Sequence, residues 1–200
     1  MTLNTHNHTF DITKNDRENL HGHKAYLIWF TGISGSGKST LANLVEIALH
    51  KKRLSTYLLD GDNIRQGINK NLGFSADDRK ENIRRVGEIA NLILNAGVIT
   101  LASFISPYTK GREEVKKIVG ADNFIEIFVN CSLEVCETRD VKGLYKKARS
   151  GEIKDFSGLS APYQVPINPD IEVKTDNQTL EESVDQILNY LKQKTNIFND

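Results

Sequence analysis

Cysteine is nearly absent from the 200-residue chain: there are two, Cys131 and Cys136, five positions apart. That is too few for a disulfide framework and fits no zinc or redox spacing, so both read as small packing residues. A charge of one sign is lacking too, because 26 Lys and Arg balance 26 Asp and Glu. No global field draws the chain to nucleic acid or to an anionic membrane, and any anion binding has to be local. No apolar run approaches bilayer length, and residues 1–23 form a polar stretch without the apolar centre of a secretion signal. The expectation is a soluble, cytoplasmic chain with no nucleic-acid and no membrane partner. Internal repeats and low-complexity tracts are missing as well.

What is there is alternation. Apolar runs at 25–31, 54–60, 98–106, 124–130 and 171–175 have strand length, several of them apolar on consecutive positions as buried parallel strands are. Helical patterns fall between and after them, at 38–51, 78–95, 109–119, 133–138 and 180–192. Ile83, Val86, Ile89, Ala90, Ile93 and Leu94 form one stripe of the second, with Arg79, Glu81, Arg84 and Arg85 off it. This order predicts a three-layer α/β domain with a mainly parallel central sheet, binding its ligands at the carboxyl ends of the strands. The interval 140–169, rich in Lys, Gly, Ser and Pro, has no clean period and reads as a lid segment. The division expected is a polar extension over 1–23 and a single domain over 24–200, with the lid at about 140–169.

Residues Gly32-Ile33-Ser34-Gly35-Ser36-Gly37-Lys38-Ser39 satisfy G-x-x-x-x-G-K-[ST], the phosphate-binding P-loop. By average residue usage such a pattern arises by chance on the order of once per hundred chains of this length. It also lies between an apolar run and an amphipathic one, which a mere Gly/Ser turn does not require. The glycines let the backbone curl so that successive N–H groups face phosphate oxygens at the positive end of the next helix. Lys38 would reach the β- and γ-phosphates and the Ser39 hydroxyl would ligate Mg²⁺. The fold expected is thus a P-loop NTPase/kinase fold. The guanine-recognition pattern N-K-x-D is absent; Asn69-Lys70-Asn71-Leu72 lacks the aspartate.

"LLDGDNIR" places Asp60, Asp62 and Arg65 at the carboxyl end of the next strand. A carboxylate there can hold Mg²⁺ or take a proton from an attacking hydroxyl, and an arginine can pair with a second anionic substrate. Capping of the next helix by Asp62 or Asn63 is the plainer alternative and explains only one of the two aspartates. In "GFSADDRKENIRR", Arg79 and Asn82 are three apart and share a helix face, offering a forked cation and an amide to one polyanion. Phe74 is either a stacking surface for a base or core. His6, His8, His21 and His23 crowd the amino terminus without further ligands at useful spacing, so no metal site is expected there. His50 suits the carboxyl end of its helix.

Taken in order, "GISGSGKST", "DGDNIR", "GFSADDRKENIRR", "SFISPY", "KGLYKKAR" and "GEIKDFSG" resemble the adenylylsulfate kinase (APS kinase) family over about residues 20–190. The resemblance implies transfer of the γ-phosphoryl of ATP to the 3′-hydroxyl of adenosine 5′-phosphosulfate, with Mg²⁺, in the cytoplasm, by a homodimer with a functional link to an ATP sulfurylase. On the matched positions it implies that Gly32, Ile33, Ser34, Gly35, Ser36, Gly37, Lys38, Ser39, Thr40 and Arg139 bind ATP. Asp62, Arg65, Phe74, Arg79, Asn82, Ile105 and Ser106 would form the adenylylsulfate pocket, with Lys142 and Phe156 descending on it from the lid. Lys38, Asp60 and Ser106 are the catalytic candidates, and Ser39 and Asp60 the metal ligands.

For Ser106 three readings stand: a phosphoserine intermediate, a residue that positions substrate during direct in-line transfer, and a plain strand end before Pro107. The second is favoured, since no histidine stands near in sequence to activate the hydroxyl. Val141, Ser157, Ser160 and Gln164 depart from residues usual in the family and bear on lid packing. Two other functions fit the frame: a kinase for a different hydroxyl, and a non-catalytic nucleotide-binding regulator. The regulator would lack groups that Lys38, Ser39, Asp60 and Asp62 supply.

Overall fold

Runs of consecutive apolar residues make strands that are covered on both faces. β1 (Leu27–Thr31) is buried along its whole length, as is β3 (Ile99–Ser103). With β2 (Thr56–Asp60), β4 (Phe124–Asn130) and β5 (Ile171–Lys174) they form one sheet in the order β2-β3-β1-β4-β5, every pair parallel. The computed structural model describes residues 6, 8–195, 197 and 198; the outermost part of the polar extension (1–5 and 7) and residues 196, 199 and 200 lie outside them.

The helices are α1 (Lys14–His21), α2 (Lys38–Lys51), α3 (Gly61–Gln66), α4 (Ala76–Asn95), α5 (Thr109–Val119), α6 (Leu133–Arg139), α7 (Leu144–Arg149) and α8 (Leu180–Lys194). α2 and α8 cover one face of the sheet around Phe30, Leu41, Val45, Ile127 and Ile187. α4 and α5 cover the other around Trp29, Val86, Ala90 and Val115. A third cluster of Cys131, Cys136, Tyr145 and Phe156 roots the lid. No helix among the described residues is long and apolar enough to cross a membrane.

Three helices fall where no period is legible. α3 and α7 are six residues each, too short to repeat a stripe. α1 lies inside the polar stretch and starts at a reciprocal cap, in which the Thr13 hydroxyl accepts from the Asp16 N–H at 3.3 Å while Asp16 accepts from the Thr13 N–H at 2.8 Å. It ends at Gly22, whose φ of 73° is left-handed. Glu18 is buried and accepts the Ala25 N–H at 2.9 Å, and His23 Nε2 takes the Ser55 N–H at 3.0 Å, so the stretch is docked on the domain.

β3 stops at Ser103, short of the expected Ser106, whose φ of 40° lies outside any strand geometry. The loop it begins is clamped by Arg112 of α5, which is buried and donates to the carbonyls of Ser106 at 2.8 Å and Gln164 at 2.9 Å. Arg112 Nε also lies 2.8 Å from the Glu126 carboxylate of β4. Burial raises the Glu126 pKa and Arg112 works against it.

Removing one partner of a buried pair costs about 3–5 kcal/mol. Arg112→Ala is therefore expected to lower the free energy of unfolding by that much at neutral pH, seen as a lower urea midpoint at unchanged slope. Because the Glu126 pKa is raised on folding, the native state holds the proton longer, so the deficit shrinks as pH falls through the carboxylate range. Denaturation curves at neutral and acid pH check this; an unchanged midpoint would show that the pair contributes nothing.

Candidate active site

The loop between β1 and α2 is shaped by close approaches. A Cβ on Gly32 would lie 2.5 Å from the Val129 carbonyl oxygen, and one on Gly35, at φ +76°, would lie 2.8 Å from that of Cys136. Its carbonyls are taken by surrounding side chains. Ile33 O accepts from Lys38 Nζ at 2.7 Å, Ser34 O from the Tyr145 hydroxyl at 2.8 Å, and Ser36 O from Thr175 Oγ1 at 2.8 Å. Arg139 reaches Gly35 O at 3.4 Å and Thr175 O at 2.6 Å. The Ser36 N–H turns back onto Ile33 O at 3.3 Å, while the amides at the first turn of α2 have no partner within the helix and suit an anion in the concavity. Lys38 is buried at 8% exposure, and burial pulls its pKa down to about 8 against the pull of Asp60. Thr40 is exposed on the first turn of α2.

Register sets the next group. Asp60 at the end of β2 stands opposite Ser103 of β3, which in turn stands opposite Phe30 of β1. The Ser39 hydroxyl at the start of α2 donates to Asp60 Oδ2 at 2.7 Å and lies 3.1 Å from Ser103 Oγ. Asp60 Oδ1 accepts the Asp62 N–H at 3.0 Å, so the cap of α3 is Asp60, where Asp62 or Asn63 was the alternative. Three oxygens, from Ser39, Asp60 and Ser103, thus converge beside the buried ammonium, a hard donor set of the kind that suits Mg²⁺.

On the far side lies a cationic wall. Arg65 donates to the carbonyls of Leu72 at 3.1 Å and Gly73 at 2.8 Å, with its guanidinium carbon 4.3 Å from the centre of the Phe74 ring. The Arg79 guanidinium is 5.5 Å from the same ring, and its Nε donates to Phe74 O at 2.9 Å. Phe74 is exposed, which settles its role as a surface ring and not core. Among the described residues no carboxylate forms an ion pair with either arginine. Burial lowers the pKa of both, and at Arg65 the neighbouring Arg79 lowers it further. Asn82, one turn on from Arg79, is buried and accepts from Asn69 Nδ2 at 3.0 Å.

The lid lies over both halves. Lys142 pairs with Asp62, the Asp155 carbonyl accepts from Arg79 at 2.8 Å, and the Gly158 Cα sits so close to Ile33 that a Cβ would be 2.8 Å from its methyl group. Asp140 caps the start of α7 by accepting the Tyr145 and Lys146 N–H groups, each at 3.0 Å. Ser160 accepts the Phe156 N–H at 2.9 Å, and Gln164 ties the irregular segment leading out of the lid to Pro107 and Thr109 at 2.8 Å each. Ser157 is buried and Val141 exposed.

Two of the expected substrate residues sit apart from this face. Phe156 is buried edge-on against Tyr145, with centroids 4.9 Å apart, as part of the lid's own core. Ser106 is buried at 2% exposure; its hydroxyl accepts from Trp29 Nε1 at 3.0 Å and donates to Thr31 Oγ1 at 2.8 Å. Ile105 offers its carbonyl to the same Thr31 hydroxyl at 2.8 Å. Tyr163 of the lid return completes that network 3.1 Å from Thr31 Oγ1.

Ser103, Tyr145 and Thr175 were passed over in the sequence, although Ser103 and Thr175 end apolar runs at the carboxyl edge, where ligand groups collect. Tyr145 stands inside "KGLYKKAR" but gives no sign that its hydroxyl reaches the P-loop. Among the described residues no three His, Cys, Asp or Glu side chains gather as a further metal centre.

Comparison with known proteins meets this geometry. The family described as adenylylsulphate kinase matches residues 24–174. The adenylyl-sulfate kinase of Oceanobacillus iheyensis is 56% identical over 183 residues, 92% of each chain. That of Lactiplantibacillus plantarum is 57% identical over 184 residues, 92% of this chain and 89% of the relative. Among solved structures, the Mycobacterium tuberculosis APS kinase in complex with AMPPNP and APS superposes with a TM-score of 0.81 at 44% identity, over 85% of this chain and 99% of that one. A match of this length and identity, on a parallel five-stranded sheet whose P-loop and lid are intact, places the chain in the adenylylsulfate kinase family.

Proposed function

We propose that the chain transfers the γ-phosphoryl group of ATP to the 3′-hydroxyl of adenosine 5′-phosphosulfate, giving 3′-phosphoadenosine 5′-phosphosulfate and ADP. The observation that carries the acceptor assignment is the pair of half-buried guanidinium groups on Phe74, neither of which is held in an ion pair among the described residues, although Asp62 and Asp78 lie near Arg65 and Asp155 near Arg79. A base stacked on or beside the ring, with an anionic tail against Arg65 and Arg79, satisfies both ring and cations.

In this reading the loop from Gly32 to Thr40 and Arg139 hold ATP, and Lys38 leaves Ile33 O for the phosphates. Ser39 and Asp60 hold Mg²⁺, with Ser103 beside them; the ion supplies charge neutralisation on the phosphate oxygens. Asp60 orients the acceptor hydroxyl and receives its proton as the new O–P bond forms and the bond to the departing ADP breaks. Asp62, Arg65, Phe74, Arg79, Asn82 and Ile105 hold adenylylsulfate. Lys142 is released from Asp62 to the nucleotides when the lid closes on them, and Phe156 stiffens that lid from inside. Transfer is direct. The Ser106 hydroxyl is buried between Trp29 and Thr31 with no base on it, which supports a positioning role through the loop it anchors.

The reading keeps one kinase domain from residue 24 with its lid at about 140–169, a cytoplasmic setting, and an ATP sulfurylase as supplier of the substrate. It also includes a homodimer. An apolar groove of about 830 Å³ beside edge strand β2, lined among others by Tyr57, Ile64, Ile68, Ile89 and Ile93, supports a second copy as its occupant. That edge has no proline, and its one charged residue, Asp60, stands at the carboxyl end, which leaves Thr56 to Leu59 open to pairing.

The test is direct detection of phosphorylated product from ATP and Mg²⁺ with and without adenylylsulfate. Product only in its presence supports the reading; none, with ATP still bound, points to another hydroxyl. Lys38→Ala is expected to lower the rate by a factor of about 10²–10³ or more, as loss of one transition-state donor does. Ser106→Ala is expected to retain turnover with no phosphate on the protein; trapping of a phosphoserine in the parent chain overturns direct transfer.

Protonation gives a separate check. Since the Lys38 pKa lies at about 8 in the ligand-free chain, ATP binding above that pH draws a proton onto the lysine. Calorimetry in buffers of different ionisation enthalpy is expected to show proton uptake growing as pH rises through 8, and to lose it in Lys38→Met.

A further inference from the structure

Between α3 and α4 the chain crosses an open turn. Ile68 is 60% exposed, and Gly67, Lys70, Asn71 and Gly73 are also exposed, yet Asn69 in their midst is 0% exposed. Its backbone is used by the turn, since its N–H donates to Ile64 O at 3.1 Å and its carbonyl accepts from Leu72 at 3.0 Å. Its side chain enters α4, where Nδ2 donates to Asn82 Oδ1 at 3.0 Å and Oδ1 is left without a partner. Burying an amide with half its capacity unused is costly, and an apolar side chain would hold the turn more cheaply. Other groups already hold it: Arg65 takes the carbonyls of Leu72 and Gly73, and Arg85 bonds Asn71 Oδ1 at 2.8 Å. The work left to Asn69 is what it does to Asn82.

A carboxamide presents a donor at one end and an acceptor at the other, in nearly the same shape. With the Asn69 Nδ2 amide donating to its oxygen, Asn82 has its carbonyl turned inward and its NH₂ outward. Among the described residues Asn82 Nδ2 has no protein partner and is not sealed from solvent. It lies one helical turn from Arg79, so the amide and the guanidinium present donors, and only donors, on one face. Were Asn82 free to rotate, half its orientations would set a carbonyl oxygen against an acceptor of the ligand.

Resting on the function proposed above, we infer that Asn69 is a positioning residue for substrate selection: it locks Asn82 with its NH₂ toward the adenylylsulfate pocket. The lock acts on the acceptor nucleotide and leaves the ATP half untouched.

The experiment is a double-mutant cycle read as KM for adenylylsulfate, KM for ATP and kcat in the parent chain, Asn69→Ala, Asn82→Ala and the double variant. Asn69→Ala is expected to raise KM for adenylylsulfate about tenfold, the worth of one misoriented hydrogen bond, with KM for ATP and kcat within about twofold. In the Asn82→Ala background the same change is expected to add nothing, because its target is gone. Independent, multiplying effects, or an equal rise in KM for ATP, would show a general structural role and overturn the inference. If Asn69→Ala fails to fold, Asn69→Leu, of similar volume and without polar atoms, carries the same cycle. Arg79→Ala separates the two levels: if Arg79→Ala and Asn82→Ala both leave KM for adenylylsulfate unchanged, the pocket assignment falls and the lock with it, whereas a rise in those two beside an unaffected Asn69→Ala removes the lock alone.

Discussion

The contact between the Ser39 hydroxyl and the Asp60 carboxylate, at 2.7 Å, joins two parts of the chain that nothing local brings together. It exists because β2, β3 and β1 run parallel in one register, so that their carboxyl ends finish level, and because the P-loop turns at once into α2. A slip of one residue in β2 would send the Asp60 side chain to the other face of the sheet. The buried apolar runs of β1 and β3 are thus the means by which this hydroxyl–carboxylate pair is held in place, and core packing and site geometry are one constraint seen at two distances. Lys38 depends on the same arrangement: its ammonium is tolerated in a buried position because Ile33 O and the nearby carboxylate of Asp60 face it.

Around that pair the chain divides its electrostatics sharply despite its zero net charge. The P-loop side offers backbone amides and one buried ammonium, whereas the opposite wall offers two arginines on an exposed ring. The lid spans them with contacts of unequal kind. Lys142 and Asp62 are both well exposed, and a pair of that sort contributes about 0–1 kcal/mol. Tyr145 and Phe156, by contrast, are buried against each other and against the P-loop. Apolar packing therefore holds the lid's form, while the charge of Lys142 is loosely held and available to a ligand.

Much of this was legible in the sequence. The central strands and the long helices announce themselves because β1 and β3 are buried along their whole length and α4 carries one apolar stripe, whereas edge strand β5 alternates and is legible only by its period of two. The P-loop residues, Asp60 and the Arg65–Phe74–Arg79 group are legible because each is a residue type with few other reasons to stand there. Phe156 was not: in a lid rich in Lys and Gly an isolated ring looks like a hand for the substrate, and only the tertiary meeting with Tyr145 turns it inward. Nor was the burial of Ser106, which depends on Trp29 and Thr31 of a strand far away in the chain. Asn69 stands in "NKN", a run that reads as solvated turn, and its burial is decided wholly by α4.

The third apolar cluster has one more property. Both sulfhydryls in the chain, Cys131 and Cys136, lie in it where the lid meets the P-loop, and burial pushes the Cys136 thiol up to about 12. A protonated, covered thiol is a poor nucleophile toward an alkylating reagent, so Cys136 is shielded by both protonation and burial, and Cys131 by burial, while the cluster is intact. Opening the lid far enough to part Tyr145 and Phe156 uncovers them. The rate of thiol labelling is then a clock for that opening, built into the chain without any introduced probe.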